Sequence, residues 1–179
     1  PNVTLAEAGT GIGKTLGYVS PASMWAEKAR APVWLSTYTK NLQRQVDQEL
    51  DRLYPDPQKK RRHVAIRKGR ENYLCLLNLE ESYHALVGMT GRDQDRILIG
   101  LMSRWVRHTR DGDLMGGDFP SWLAPLFRTN RIASLTDRRG ECLYSGCAHY
   151  RKCFIEKAIR KARKADIVIA NHALVMAQA

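Results

Sequence analysis

With 179 residues, 44% of them hydrophobic, the chain is long enough for one ordinary domain, or for a small domain carrying an insertion, and apolar enough for a core. Its 29 Lys and Arg against 18 Asp and Glu give a formal charge of +11, which points to a polyanionic partner, nucleic acid ahead of an anionic membrane surface. No run of eighteen apolar residues and no leader of basic, apolar and small-residue segments is present, so the expected setting is cytoplasmic and reducing, with no membrane partner.

In chain order, Asn2 to Ala6 reads as a short strand running into a Gly-rich turn, and Lys14 to Arg30 has helical composition. Ala31 to Ser36, APVWLS, reads as a second strand. Thr37 to Tyr54 reads as a helix, because Leu42, Val46, Leu50 and Leu53 recur at intervals of four, four and three and so share one face. Pro55 and Pro57 close it, KKRRH lies at a solvated edge, and His63 to Arg67 is apolar enough for a third strand. From Lys68 to Lys164 the alternation of strands and helices stops, which marks an insertion of helices and loops. Ala165 to Met176, ADIVIANHALVM, restores a buried strand and a helix start. The expected fold is α/β, a parallel sheet over residues 1–67 and 165–179 interrupted by an inserted domain at 68–164.

The stretch AEAGTGIGKT, Ala6 to Thr15, carries the sharpest chemistry. A phosphate-binding loop needs glycines because its backbone N–H groups must turn inward around phosphate oxygens, a conformation that side chains obstruct. Gly9, Gly11 and Gly13 supply that freedom; Lys14 would reach the β and γ phosphates of ATP, and Thr15 would place its hydroxyl on Mg2+. A chance Gly-rich turn is the weaker reading, since the loop follows a strand and opens a helix. Hydrolysis also needs an acidic residue at the end of another strand to hold the Mg2+ shell. No apolar run here ends in Asp-Glu: none follows RILIGLM, Arg96 to Met102, and Asp166 precedes its apolar run. The chain is therefore expected to stop short of a complete catalytic site.

Cys75, Cys142, Cys147 and Cys153 are separated by 66, 4 and 5 residues. Four thiolates in a reduced compartment suit a tetrahedral zinc site or a four-iron cluster better than a disulfide framework, and the spacing lacks the paired C-x-x-C of zinc ribbons.

Together, AEAGTGIGKT, LSTYTKNLQRQ, KGRENYLC, the ECLYSGC to RKCF cluster and ADIVIANHAL resemble the DinG branch of the XPD-like superfamily 2 DNA helicases, essentially from end to end. The resemblance implies a RecA-like first motor domain with an inserted 4Fe-4S domain, and 5′ to 3′ DNA unwinding driven by ATP in DNA repair. Gly9, Thr10, Gly11, Gly13, Lys14 and Thr15 look like the ATP and Mg2+ contacts. Cys75, Cys142, Cys147 and Cys153 look like cluster ligands. Ser36, Thr37, Thr39 and Lys40 fall where the family's motif Ia meets the backbone of single-stranded DNA, although Thr37 or Thr39 would serve equally as a helix cap. The family's acidic box, second RecA domain, arch domain and upstream glutamine motif are not in this sequence. It therefore looks like a fragment, expected to be monomeric and to turn ATP over poorly by itself.

Between Lys68 and Lys164 there are 18 Lys and Arg against 11 Asp and Glu, a net +7, so most of the excess charge falls in the insertion. Arg104, Arg107, His108 and Arg110 crowd one segment, and KAIRKARK, Lys157 to Lys164, makes a basic helix; these would grip single-stranded or forked DNA. Tyr73, Trp105, Trp122 and Tyr150 are candidates for stacking on bases, with core packing the competing role for the tryptophans. Asp111 to Phe119 reads as a flexible solvated loop. Two other functions compete: a single-strand-binding module whose P-loop holds nucleotide without hydrolysis, and a P-loop kinase with a zinc-stabilised lid. Ala8, the missing acid and the size of the insertion count against the kinase.

Overall fold

The computed structural model describes residues 3–5, 7, 9, 13–87, 93–120, 122–127, 129–138 and 140–177. The chain divides into two compact units, residues 1–67 with 161–179 and residues 68–160. The second is thus continuous in sequence and interrupts the first. Among the described residues no helix is long and apolar enough to cross a membrane.

In the first unit the elements are α1 (Lys14–Ala29), β1 (Val33–Thr37), α2 (Lys40–Leu53), α3 (Pro57–His63), β2 (Val64–Arg67), β3 (Ile167–Asn171) and, after α4 to α7 of the second unit, α8 (His172–Met176). The three strands form a parallel sheet in the order β1-β3-β2, with Val33 opposite Ile167 and Val64 opposite Ile167 on the two sides of β3. β3 is apolar and buried from Ile167 to Ala170 because it is covered on both faces. Ile167 and Ile169 pack with Val19 of α1, Val46 and Leu50 of α2 and Val64. Val168 turns the other way, onto Ala65, Ala162 and Ala165.

Local chemistry sets the element ends. Thr39 caps α2 by accepting the Leu42 amide at 3.1 Å. Of the four apolar residues spaced along α2, Val46 and Leu50 are fully buried while Leu42 is exposed, so the face in contact is narrower than the spacing implies. Pro57, expected to end a helix, instead opens one: Asp56 accepts the Gln58 amide at 2.8 Å, and a proline in the first turn gives up an N–H that has no helical partner anyway. KKRRH is accordingly helical, with Lys60 held between Asp47 and Asp51 of α2 at 2.9 and 2.7 Å. His63 meets Asp166 at 2.5 Å and stacks on Tyr54, joining the starts of β2 and β3. The strand expected from Asn2 to Ala6 is not seen at Val3 to Leu5, which are exposed and have no ladder partner among the described residues; Asn2 and Ala6 fall outside them.

The second unit contains α4 (Leu76–Val87), α5 (Asp93–Trp105), α6 (Thr129–Ala133) and most of α7 (Phe154–Ala162), joined by turns. RILIGLM belongs to α5, with Leu98, Ile99 and Met102 buried. Its core is separate from that of the sheet and includes Leu74, Leu79, Met102, Leu114, Leu135, Phe154 and Ile155. Two isolated antiparallel bridges, Tyr73 with Asp113 and Leu74 with Thr136, draw three distant stretches together.

Asp111 to Phe119 is a built turn, and the expectation of a flexible loop does not hold for it. Asp111 accepts the Asp113 amide, Asp113 accepts the Met115 amide, and Asp118 accepts both the Thr109 hydroxyl and the Arg110 amide. The carboxylates therefore satisfy backbone donors in a sharp reversal. Burial pushes the Asp111 carboxyl up.

Candidate functional site

α1 opens on Gly13, whose φ of 75° lies in the left-handed region; a Cβ there would meet nothing within 4 Å, but any other residue would be strained. Lys14 and Thr15 begin the 16-residue helix, so their amides belong to its first turn, where helix N–H groups lack intrahelical acceptors and attract anions. Gly9 has open space about it as well. Thr10 and Gly11 lie outside the described residues. Lys14 is exposed, and Thr15 half-buried.

The carboxyl ends of parallel strands are where α/β sheets place ligands. At that edge Ser36 hydrogen-bonds His172 Nδ1, and the His172 ring lies 6.0 Å from that of Tyr38. Two of the motif Ia candidates are already employed in the fold. Thr37 is 2% exposed and its hydroxyl donates to the Ala170 carbonyl across the strand pair, while Thr39 caps α2. Both hydroxyls thus serve the fold at this edge, Thr39 in the capping role that its sequence position also allows, and Thr39 remains exposed. Ser36 stays at the exposed edge, and Lys40 begins α2. Sequence reading missed His172 and Gln43. The Gln43 amide donates to the carbonyls of Arg67 and Ile169, pinning α2 to the ends of β2 and β3. A glutamine one turn after a Thr cap was the available signal.

The cysteines come together. Cys75, Cys142, Cys147 and Cys153, all half-buried free thiols, line a single pocket in the second unit. The bridges at Tyr73 and Leu74 deliver Cys75 across the 66 residues, and its amide donates to the Leu135 carbonyl at 2.8 Å. Cys142 and Cys147 flank a turn in which Tyr144 has a φ of 48°, and Cys153 immediately precedes α7.

Several observations bear on whether this pocket suits a metal centre. The amides of Leu77 and Asn78, at the start of α4, donate to the Cys75 sulfur, and the Tyr144 amide donates to Cys142 Sγ at 3.4 Å. Such N–H donors favour thiolates. Burial nevertheless pushes the Cys75 thiol up. Arg70 lines the same pocket; its Nε bonds Asp137, while its buried Nη2 has no hydrogen-bond partner among the described residues. No three His, Cys, Asp or Glu side chains among the described residues converge tightly enough for a single metal ion. A mononuclear zinc needs four sulfurs about 2.3 Å from one point, and the four thiols as placed line a pocket without meeting that arrangement.

Arg104 and Arg107 are exposed at the end of α5 and in the turn that follows it. Tyr73 is 4% exposed and cannot stack on a base. Trp105 packs against the core, edge-on to Phe119 at 5.0 Å, and is likewise a packing residue. Trp122 is exposed, and Tyr150 is half-buried beside Arg160.

No family model matches the chain. It is 38% identical over 181 residues to the ATP-dependent DNA helicase YoaA of Escherichia coli, covering 97% of this chain and 26% of that protein. It is 33% identical over 187 residues to the ATP-dependent helicase DinG of Mycobacterium tuberculosis, covering 96% of this chain and 27% of that protein. It is also 33% identical over 181 residues to a Bacillus subtilis protein named 3′-5′ exonuclease DinG, of which it spans 18%. The chain spans about a quarter or less of the length of these relatives. Along 96 to 97% of its own length, then, this chain is similar to one stretch of the DinG-type helicases.

Proposed function

We propose that the chain is the first part of a DinG-type, ATP-dependent 5′ to 3′ DNA helicase motor, in which the sheet unit binds ATP and the second unit grips single-stranded or forked DNA. The gathering of four cysteines from 66 residues apart around one pocket carries the proposal. Cys75, Cys142, Cys147 and Cys153 would hold a 4Fe-4S cluster, which when bound supplies a covalent cross-link within a small helical unit. Arg70 sets a guanidinium against the sulfurs and offsets their negative charge; the amides of Leu77, Asn78 and Tyr144 orient two of them.

At the phosphate loop, the backbone of Gly9, Thr10, Gly11 and Gly13 would cradle the nucleotide, Lys14 would neutralise its terminal phosphates and Thr15 would hold Mg2+. With no Asp-Glu at a strand end, these residues bind and orient nucleotide without a carboxylate to complete the Mg2+ shell, so hydrolysis by this chain is slow. Ser36 with Lys40, and Arg104 with Arg107, are the proposed DNA contacts.

The test is to purify the chain anaerobically, count iron, sulfide and zinc, and measure nucleotide and single-strand binding. About four irons per chain, with ATP bound but scarcely hydrolysed, is the expected result. One zinc with no iron, or phosphoryl transfer to a nucleoside monophosphate, sinks the proposal.

A further inference from the structure

Beside the cysteine pocket the second unit contains another cavity, of about 400 Å3, within the range of small-ligand sites. Leu76 and Leu79 of α4 give it an apolar lining, with Tyr83 and His84 one turn further along the helix. Tyr83 is a large aromatic left 53% exposed, and its ring meets that of His84 edge to face at 5.8 Å. The polar groups are few: the Ser103 hydroxyl of α5, and the Glu80 carboxylate, which His149 Nε2 holds at 2.9 Å. Exposed Arg104 and Arg107 follow Ser103 on α5 and the turn beyond it, Arg107 about one helical turn on.

We propose that this cavity receives one unpaired base of a single-stranded nucleic acid. The inference rests on the reading that the second unit grips such a strand, and adds to it a place where the strand is held by its base. Tyr83 supplies a π-face for stacking, which every base accepts. Ser103 and Glu80 meet the base edge; cytosine, adenine or guanine offers a carboxylate an exocyclic amine, whereas the one N–H of thymine is flanked by two carbonyls that repel it, so the amine-bearing bases are favoured over thymine. Arg104 and Arg107 supply cations where the flanking phosphates must pass, a charge complement that an apolar peptide would leave unused.

The experiment uses the whole chain, prepared anaerobically, and measures fluorescence anisotropy with short single strands of dC and dT, intact or carrying an abasic position. The expected result is tighter binding of dC than dT, and a loss of about 5- to 30-fold on removing the accommodated base. Tyr83→Ala should impose the same loss on the intact strand and make it insensitive to the abasic change, while Tyr83→Phe keeps wild-type behaviour. Ultraviolet cross-linking of a strand containing 5-iodocytosine should label the peptide bearing Tyr83. Salt-dependent binding that is indifferent to base removal, or an abasic penalty that persists in Tyr83→Ala, overturns the cavity assignment alone. Failure to bind single strands at any salt overturns both this inference and the reading beneath it.

Discussion

The Ser36 hydroxyl and the His172 imidazole bond to each other where β1 and β3 end, so the first residue after the central strand is locked to the edge strand beside it. A double-mutant cycle of Ser36→Ala and His172→Ala, read from denaturant midpoints, should give a coupling of about 0.5–1.5 kcal/mol. Effects that simply add would mean the two side chains stand apart in solution.

Lys14→Ala removes the cation proposed to meet the terminal phosphates and should weaken nucleotide binding roughly 10- to 100-fold. Titration with a fluorescent ATP analogue checks it. Equal affinity in the variant would show that α1 opens on an ordinary Gly-rich turn.

Gly112→Ala should cost the second unit its stability and, with it, the cluster proposed for its cysteines. The residue has a φ of 64°, and an added Cβ would lie 2.3 Å from Phe154 Cγ, a buried ring next to Cys153. Melting temperature and iron content should fall in parallel; a fall in neither would remove the link between this turn and the cysteines.

Tyr54 gives a pH dependence of definite sign. Burial raises its hydroxyl above the ordinary tyrosine range, with Asp166 acting the same way. The folded chain then holds this proton more tightly than the unfolded chain, so stability is fully present below about pH 10, the ordinary tyrosine value, and declines as pH rises through the folded value. Tyr54→Phe, which can still stack on His63, should make the alkaline fall in denaturant midpoint shallower. An unchanged slope would place the titration elsewhere.

Binding of single strands should weaken steeply with salt, and Arg104→Ala with Arg107→Ala should each flatten that slope by about one phosphate contact. Slopes identical to wild type would move the DNA path off the end of α5.

Much of the first unit was legible because its signals are local. The β3 run is apolar from Ile167 to Ala170, α2 carries its Thr cap and its spaced Val46 and Leu50, and the helix expected from Lys14 begins there. The readings that failed depended on partners or on a single geometry. Val3 to Leu5 have strand composition but find no ladder; Pro57 serves as a helix start as readily as a stop, and Asp56 decides which. In the second unit the cysteines could be grouped from the sequence, but not the bridges that bring Cys75 to the others, since those pair backbone with backbone and leave no pattern in side-chain type. Thr37 and Thr39 look alike as letters; only the direction of each hydroxyl separates a sheet tie from a cap.

The strand order has a further consequence, for the timing of synthesis. Among the described residues β1 and β2 each pair only with β3, and β3 is made after the entire second unit has been synthesised. Until then the nascent sheet consists of two strands with nothing between them, whereas residues 68–160 already contain every group of their own core and all four thiols. Long-range parallel pairing is slow and local helical contact is fast. The cysteine pocket can therefore assemble while the sheet unit is still open, and the closing of the sheet by Ile167 to Asn171 comes last.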